Sequence, residues 1–162
     1  MAQSAALALA LALTAPPAPA DSVAIVADDP SMAAAIESAQ SHLPRVFGAV
    51  MDADGKAHPA LTLRVAFPVE DGAEIIWVAN VARAGTRFTA IFANQPLHLA
   101  GLAAGDAMTF DEDMIADWGL AGDAGRLLGH YTTGVLLETM PQDQAAQIRA
   151  LLSEDPLPAS WR

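Results

Sequence analysis

Between residues 61 and 110 the apolar positions of the chain recur every second residue, and on either side of that stretch they recur every third or fourth. Leu61, Leu63, Val65 and Phe67 alternate with Thr62, Arg64 and Ala66, the pattern of a strand with one buried face. Pro68 ends it, Glu70-Asp71-Gly72 is a turn signal, and residues 74–83 are rich in β-branched and aromatic side chains, with Ile75, Trp77, Ala79 and Val81 on one side. Ala84-Gly85 then connects to residues 86–93, where Phe88, Ala90 and Phe92 alternate with Thr89 and Ile91, so the pair reads as a β-hairpin. A brief strand is expected over residues 107–110, one helical turn within 111–118, and a last strand over 135–138, whereas residues 126–133 fit neither period.

Upstream, Asp28-Asp29-Pro30 has the composition of a helix start, and Met32, Ile36, Ala39, Leu43, Val46, Phe47 and Val50 follow at helical spacing. Pro44 lies inside this pattern and lacks the N–H that would bond Gln40, which predicts a kink or two shorter helices. Downstream, Pro141 opens a closing helix with Ala145, Ile148, Leu151 and Leu152 inward. The expected fold is therefore α+β: a small antiparallel sheet of about four to five strands, covered by an N-terminal helix kinked near Pro44 and a C-terminal helix.

Residues 5–13 are an unbroken Ala/Leu run, followed by Thr14, Pro16, Pro17 and Ala18-Pro19-Ala20. A short apolar segment closed by prolines, with small residues at Ala18 and Ala20, reads as a secretory signal peptide cleaved after Ala20, although its first four residues carry no Lys or Arg. The run is about half the ~20 residues needed to span a bilayer. Residues 21–162 then form a single domain, with a core over about 30–152, and the expected location is periplasmic or secreted.

Composition narrows the function classes. With no cysteine, thiolate catalysis, disulfides and zinc ribbons are excluded. The formal charge is −11, from nineteen acidic against eight scattered basic residues, and this argues against nucleic acid as a partner, which would need a basic stripe. The plainer meaning of the acidic excess is a solvated, soluble surface. No two of His42, His58, His98 and His130 have the spacing of a zinc hydrolase motif, Asp52-Ala53-Asp54-Gly55 is a turn rather than a calcium loop, and the acids at 111–113 read as a solvated loop. No cofactor or metal is expected. Nucleophile-elbow, P-loop and dinucleotide-binding glycine motifs are absent as well.

Titratable and aromatic residues cluster at Asp117-Trp118 and at Gly129-His130-Tyr131-Thr132-Thr133. An acid/base pair of Asp117 and His130, with Glu74 as a further candidate, would make the chain a hydrolase or isomerase, provided the groups converge within hydrogen-bond reach. A histidine beside an apolar run more often serves structure, and large aromatics serve the core of a small sheet domain at least as often as they line a pocket. Asn94, ahead of Gln95-Pro96, fits a turn that its own side chain satisfies.

Taken in order, Trp77-Val78, Ala93-Asn94-Gln95-Pro96, Gly101-Leu102 with Gly105-Asp106, Ile115 with Asp117-Trp118, and residues 129–133 resemble the YegJ-like family of bacterial domains of unknown function, over about residues 30–152. The resemblance implies a compact α+β domain, sometimes exported, and carries over no catalytic residue. This chain has Gln95 where the family pattern usually has an acid and Gly134 where it often has Arg. The expected role is a non-catalytic binding or protein-interaction module of the cell envelope, with Asn94, Pro96, Asp117, Trp118, His130, Tyr131 and Thr132 as ligand-binding candidates. Its partner is expected to be a protein or a small molecule. A third possibility, a partner protein whose acidic face docks a basic surface, rests on net charge alone.

Overall fold

The computed structural model describes residues 23–24, 29–70, 72–122 and 125–161; the segment read as a signal peptide lies outside them. Helix α1 runs Pro30–Val50. Strands β2 (Leu61–Val69), β3 (Gly72–Ala84), β4 (Arg87–Phe92) and β5 (Ala107–Asp111) form an antiparallel meander. A 3-10 turn at Glu112–Met114 leads into β6 (Ile115–Ala121), followed by β7 (Leu127–Gly129), α2 (Tyr131–Leu136) and α3 (Gln142–Arg149). The sheet order is β5-β4-β3-β2-β6-β7, with the two-residue β1 (Val23–Ala24) pairing against β3. The fold is α+β, as the alternation between residues 61 and 110 requires.

The connection from β5 to β6 determines how the sheet is shaped. In a flat sheet these strands would lie four spacings apart, roughly 19 Å, yet only three residues join them, a reach of about 14 Å. The sheet therefore curls. Register shifts at Arg64/Val65 against β6 and at Ala79/Ala82 against β4 supply local bends, the second with Asn80 at φ 54°. Helix α1 fills the concave side. Its Ala39, Leu43, Val46 and Phe47 meet Leu61, Leu63, Val65, Ile76, Val78, Phe88 and Trp118, and the Phe47 and Phe88 rings lie 5.2 Å apart.

Several expectations need correction. Of the two forms expected at Pro44, two shorter helices do not occur: α1 is one element through Pro44, which is exposed, and the side-chain amide of Gln40 donates to the Ile115 carbonyl at 2.9 Å. There are seven strands among the described residues rather than four or five. Residues 115–120 lack alternation because both faces of β6 are buried, so they form a strand after a single 3-10 turn. The strand expected over 135–138 is instead helix and turn, since the Tyr131 and Thr132 N–H groups at the start of α2 are held by Asp117. In β3, Ile75 and Trp77 are buried on the face opposite Ile76 and Val78, and the bulge at Asn80 brings Val81 back to the core side. Of the four residues expected to face inward from the closing helix, Ala145 is buried, Ile148 and Leu152 are half-buried, and Leu151 is exposed. The chain beyond α3 instead covers the outer edge of β7: Leu127 N–H donates to Leu151, Ser153 N–H to Leu127, and Gly129 N–H to Pro156.

Candidate functional site

Arg64, Trp77 and Asp117 form a row across β2, β3 and β6, because Arg64 is registered against both of the others. Alternation places all three on the face opposite α1. All are nonetheless buried, Asp117 completely. The cover comes from the chain after β7. Gly129 takes φ 76° against β6, where a Cβ would run into the Trp118 carbonyl and ring, and His130 follows in the left-handed region at φ 58°. This sharp reversal brings the first N–H groups of α2 onto Asp117.

Both carboxylate oxygens of Asp117 are engaged. Oδ1 accepts from Trp118 N–H at 2.8 Å and Tyr131 N–H at 3.3 Å; Oδ2 accepts from Thr132 N–H at 2.8 Å and from the Thr132 hydroxyl at 2.6 Å. The hydroxyl in turn accepts from Arg64 Nη1 at 2.8 Å, so Thr132 links the cation to the anion. His130, the residue preceding α2, makes no capping bond with its side chain. Asp117 supplies that function from another strand, with its negative charge at the positive end of the helix.

Burial is the largest influence on each charged group here. It raises the carboxyl value of Asp117 against the lowering by Thr132, Trp118 and Arg64, and it lowers that of Arg64 against the pull of Asp117. Burial, with a smaller push from Arg64, lowers His130 to about 4. The His130 ring packs 4.9 Å from Trp77 and over Gly119, and its Nδ1 lies 3.4 Å from the Thr133 hydroxyl. It makes no hydrogen bond to Asp117 among the described residues. Tyr131 is half-buried; its hydroxyl meets His42 Nδ1 on α1 at 3.0 Å, and burial followed by Asp117 raises its value.

The candidates thus fall into two groups. Asp117, Trp118, His130, Tyr131 and Thr132 share one neighbourhood, but Trp118 is fully buried on the α1 side, with its Nε1 unpartnered among the described residues. Asn94 and Pro96 belong to the 93–106 connection. Asn94 Oδ1 accepts the Trp77 N–H at 3.1 Å, and Pro96 is buried. Glu74, a further acid/base candidate, is 1% exposed and accepts Leu97 N–H at 2.7 Å and His98 N–H at 2.9 Å. Gln95 ties the same loop internally, donating to Leu102 O at 3.1 Å, and Asp106 accepts Ala103 N–H at 2.8 Å. With its backbone fixed in this way, the loop leaves Leu97 68% and Leu102 39% exposed.

Arg64 is the central residue that sequence reasoning passed over, because the alternation in β2 placed it on the solvent side. Its one sequence signal is an arginine in a strand of a domain with a lone Asp-Trp pair in another. Among the described residues no three His, Asp or Glu side chains gather as metal ligands, and no helix is long and apolar enough to cross a membrane.

A family model described as an uncharacterized protein conserved in bacteria, DUF2314, matches residues 29–152. The chain belongs to that family. The matched span begins at the residue that caps α1 and ends where the chain covers the β7 edge, so it contains the whole Asp117 row and the 93–106 loop of this DUF2314 domain. No curated protein and no solved structure matches it.

Proposed function

We propose that this DUF2314 domain is a non-catalytic protein-binding module of the bacterial cell envelope, and that the 93–106 loop is its contact surface. The observation that carries this reading is the use of a buried carboxylate, Glu74, to fix a loop whose apolar side chains Leu97 and Leu102 face solvent. A long connection without secondary structure is uncommon in a compact domain unless it serves a function. Fixing it before contact removes the ordering cost that a partner would otherwise meet. Catalysis by Asp117 and His130 gains no comparable support, since both Asp117 oxygens are bonded internally and the imidazole is withdrawn against Trp77.

In this reading the chain is a YegJ-like member of its family, is exported, and is cleaved after Ala20. A photo-crosslinking residue at position 97, introduced in the native cell, is expected to give one discrete adduct in the envelope fraction, and the same residue at exposed Thr89 is expected to give none. No adduct at 97, or equal labelling at 89, rejects the loop as the contact surface. Ala2 or Gln3 at the N-terminus of the protein recovered from its native cell rejects the cleavage.

A further inference from the structure

A cleft of about 500 Å³ opens between the end of α1, the turn that follows it and the end of β6, within the roughly 300–1,000 Å³ of small-ligand sites. It is separate from the Asp117 row and the 93–106 loop. Val50, Met51, Leu120 and Ala121 give it an apolar lining, and Asp52, Lys56 and His58 supply its polar groups.

The wall at residues 51–60 is rigid. Asp52 N–H donates to Lys56 O at 2.9 Å, while Asp52 Oδ1 accepts from Asp54 N–H at 3.0 Å and Lys56 N–H at 2.8 Å. The turn is fastened to the bulged part of β3, with Ala57 N–H on Val81 O at 2.9 Å and Arg83 N–H on Gly55 O at 2.7 Å. Gly55, at φ 76°, sits so close to β3 that a Cβ would meet the Arg83 carbonyl. Three polar groups are left to face a ligand. Asp52 Oδ2 has no partner among the described residues, and it follows a helix end whose last turn holds no basic residue, a place that favours positive charge. His58 Nδ1 accepts the Ala60 N–H at 3.2 Å, which leaves the ring proton on Nε2. The Lys56 ammonium makes no ion pair among the described residues.

We propose that this cleft binds a small zwitterion with an apolar side chain, of the amino acid or dipeptide class. Its ammonium sits on Asp52, its carboxylate on Lys56 and His58, and its side chain on Met51 and Leu120. A simple anion would be repelled by the charge of −11 on the rest of the chain, and a simple cation would leave Lys56 unmatched.

The test is an NMR titration of the isotope-labelled chain with leucyl-leucine, its N-acetyl form and its C-terminal amide. The free dipeptide is expected to shift signals from residues 49–59 and 120–121, and each blocked form to bind about tenfold or more weakly, roughly the worth of one charged contact. Asp52→Asn keeps the Oδ1 bonds of the turn and is expected to weaken the free dipeptide without further weakening the acetylated one. Lys56→Met is expected to act in the same way against the amide. Equal affinity for all three dipeptides, or no shift at these residues, overturns the proposal. A Leu97 variant is expected to leave this titration unchanged, so its outcome is independent of the loop's role.

Discussion

Glu74 and Asp117 are both buried carboxylates, and each receives backbone N–H groups from a segment returning to the sheet. Asp117 gathers four donors and, through the Thr132 hydroxyl, a guanidinium, and what it fixes is the start of a helix closed into the domain. Glu74 gathers two donors and makes no ion pair among the described residues, and what it fixes is a loop with leucines facing water. The same chemical device therefore serves integrity in one place and presentation in the other. A buried acid here marks a point where the chain is anchored, and the identity of the anchored segment separates the two roles.

Removing each acid in turn separates the two roles. Asp117→Ala leaves Arg64 buried without its counter-charge and strips three N–H groups of their acceptor, which is expected to cost about 3–5 kcal/mol of global stability. Urea unfolding reads this directly, and a loss under about 1 kcal/mol would mean that α2 does not depend on Asp117.

The next largest effect is on pH. His130 is lowered to about 4 in the fold from an ordinary 6.5, so on acidification the unfolded chain takes up a proton first. The stability that comes from burying the neutral ring is whole above pH 6.5 and is lost as pH falls to about 4, about 3 kcal/mol across the window. Asp117 acts with the opposite sign: its value is raised in the fold, so its contribution grows as pH drops through that value toward 3.8. Asn tolerates the left-handed backbone at position 130, so the difference between wild type and His130→Asn isolates the histidine. A flat difference between pH 7 and 4 would place the imidazole in water.

On the Glu74 side, Glu74→Gln turns an amide N–H₂ toward one of the two backbone donors and is expected to cost about 1–3 kcal/mol. The loss is expected to stay local. Hydrogen exchange at the Leu97 and His98 amides should accelerate while exchange in β2 and β6 is unchanged. Uniform acceleration would make Glu74 a core residue like Asp117 and erase the distinction.

How much of this was legible depended on whether neighbouring residues carried the information. The alternation at Leu61, Leu63, Val65 and Phe67, and the helical spacing from Met32 to Val50, each lie within one element, and both appear as read. Strand β6 lacks a periodic signal because burial on both faces removes alternation, and Val81 leaves the side it shares by spacing with Ile75 and Trp77 because the bulge at Asn80 inserts a residue that periodicity cannot register. The clustering of Asp117 with residues 130–132 was visible as composition. Its meaning was not, because Arg64 enters from β2, 68 residues before Thr132, and only the pairing of β2 with both β3 and β6 brings it there.

The smallest expected effect on stability is the most informative about function. Leu97 is more than two-thirds exposed, so Leu97→Ser is expected to change folding stability by no more than about 0.5 kcal/mol. If the loop is a contact surface, the same substitution, paired with Leu102→Ser, abolishes the adduct formed by a crosslinker at neighbouring His98. Glu74→Gln, which keeps both leucines but loosens their frame, weakens that adduct less. The order matters: a frame that mattered more than the side chains would mean that the partner reads the loop backbone. If neither change alters the adduct, Glu74 anchors the loop for the fold alone, and the two carboxylates have a single role.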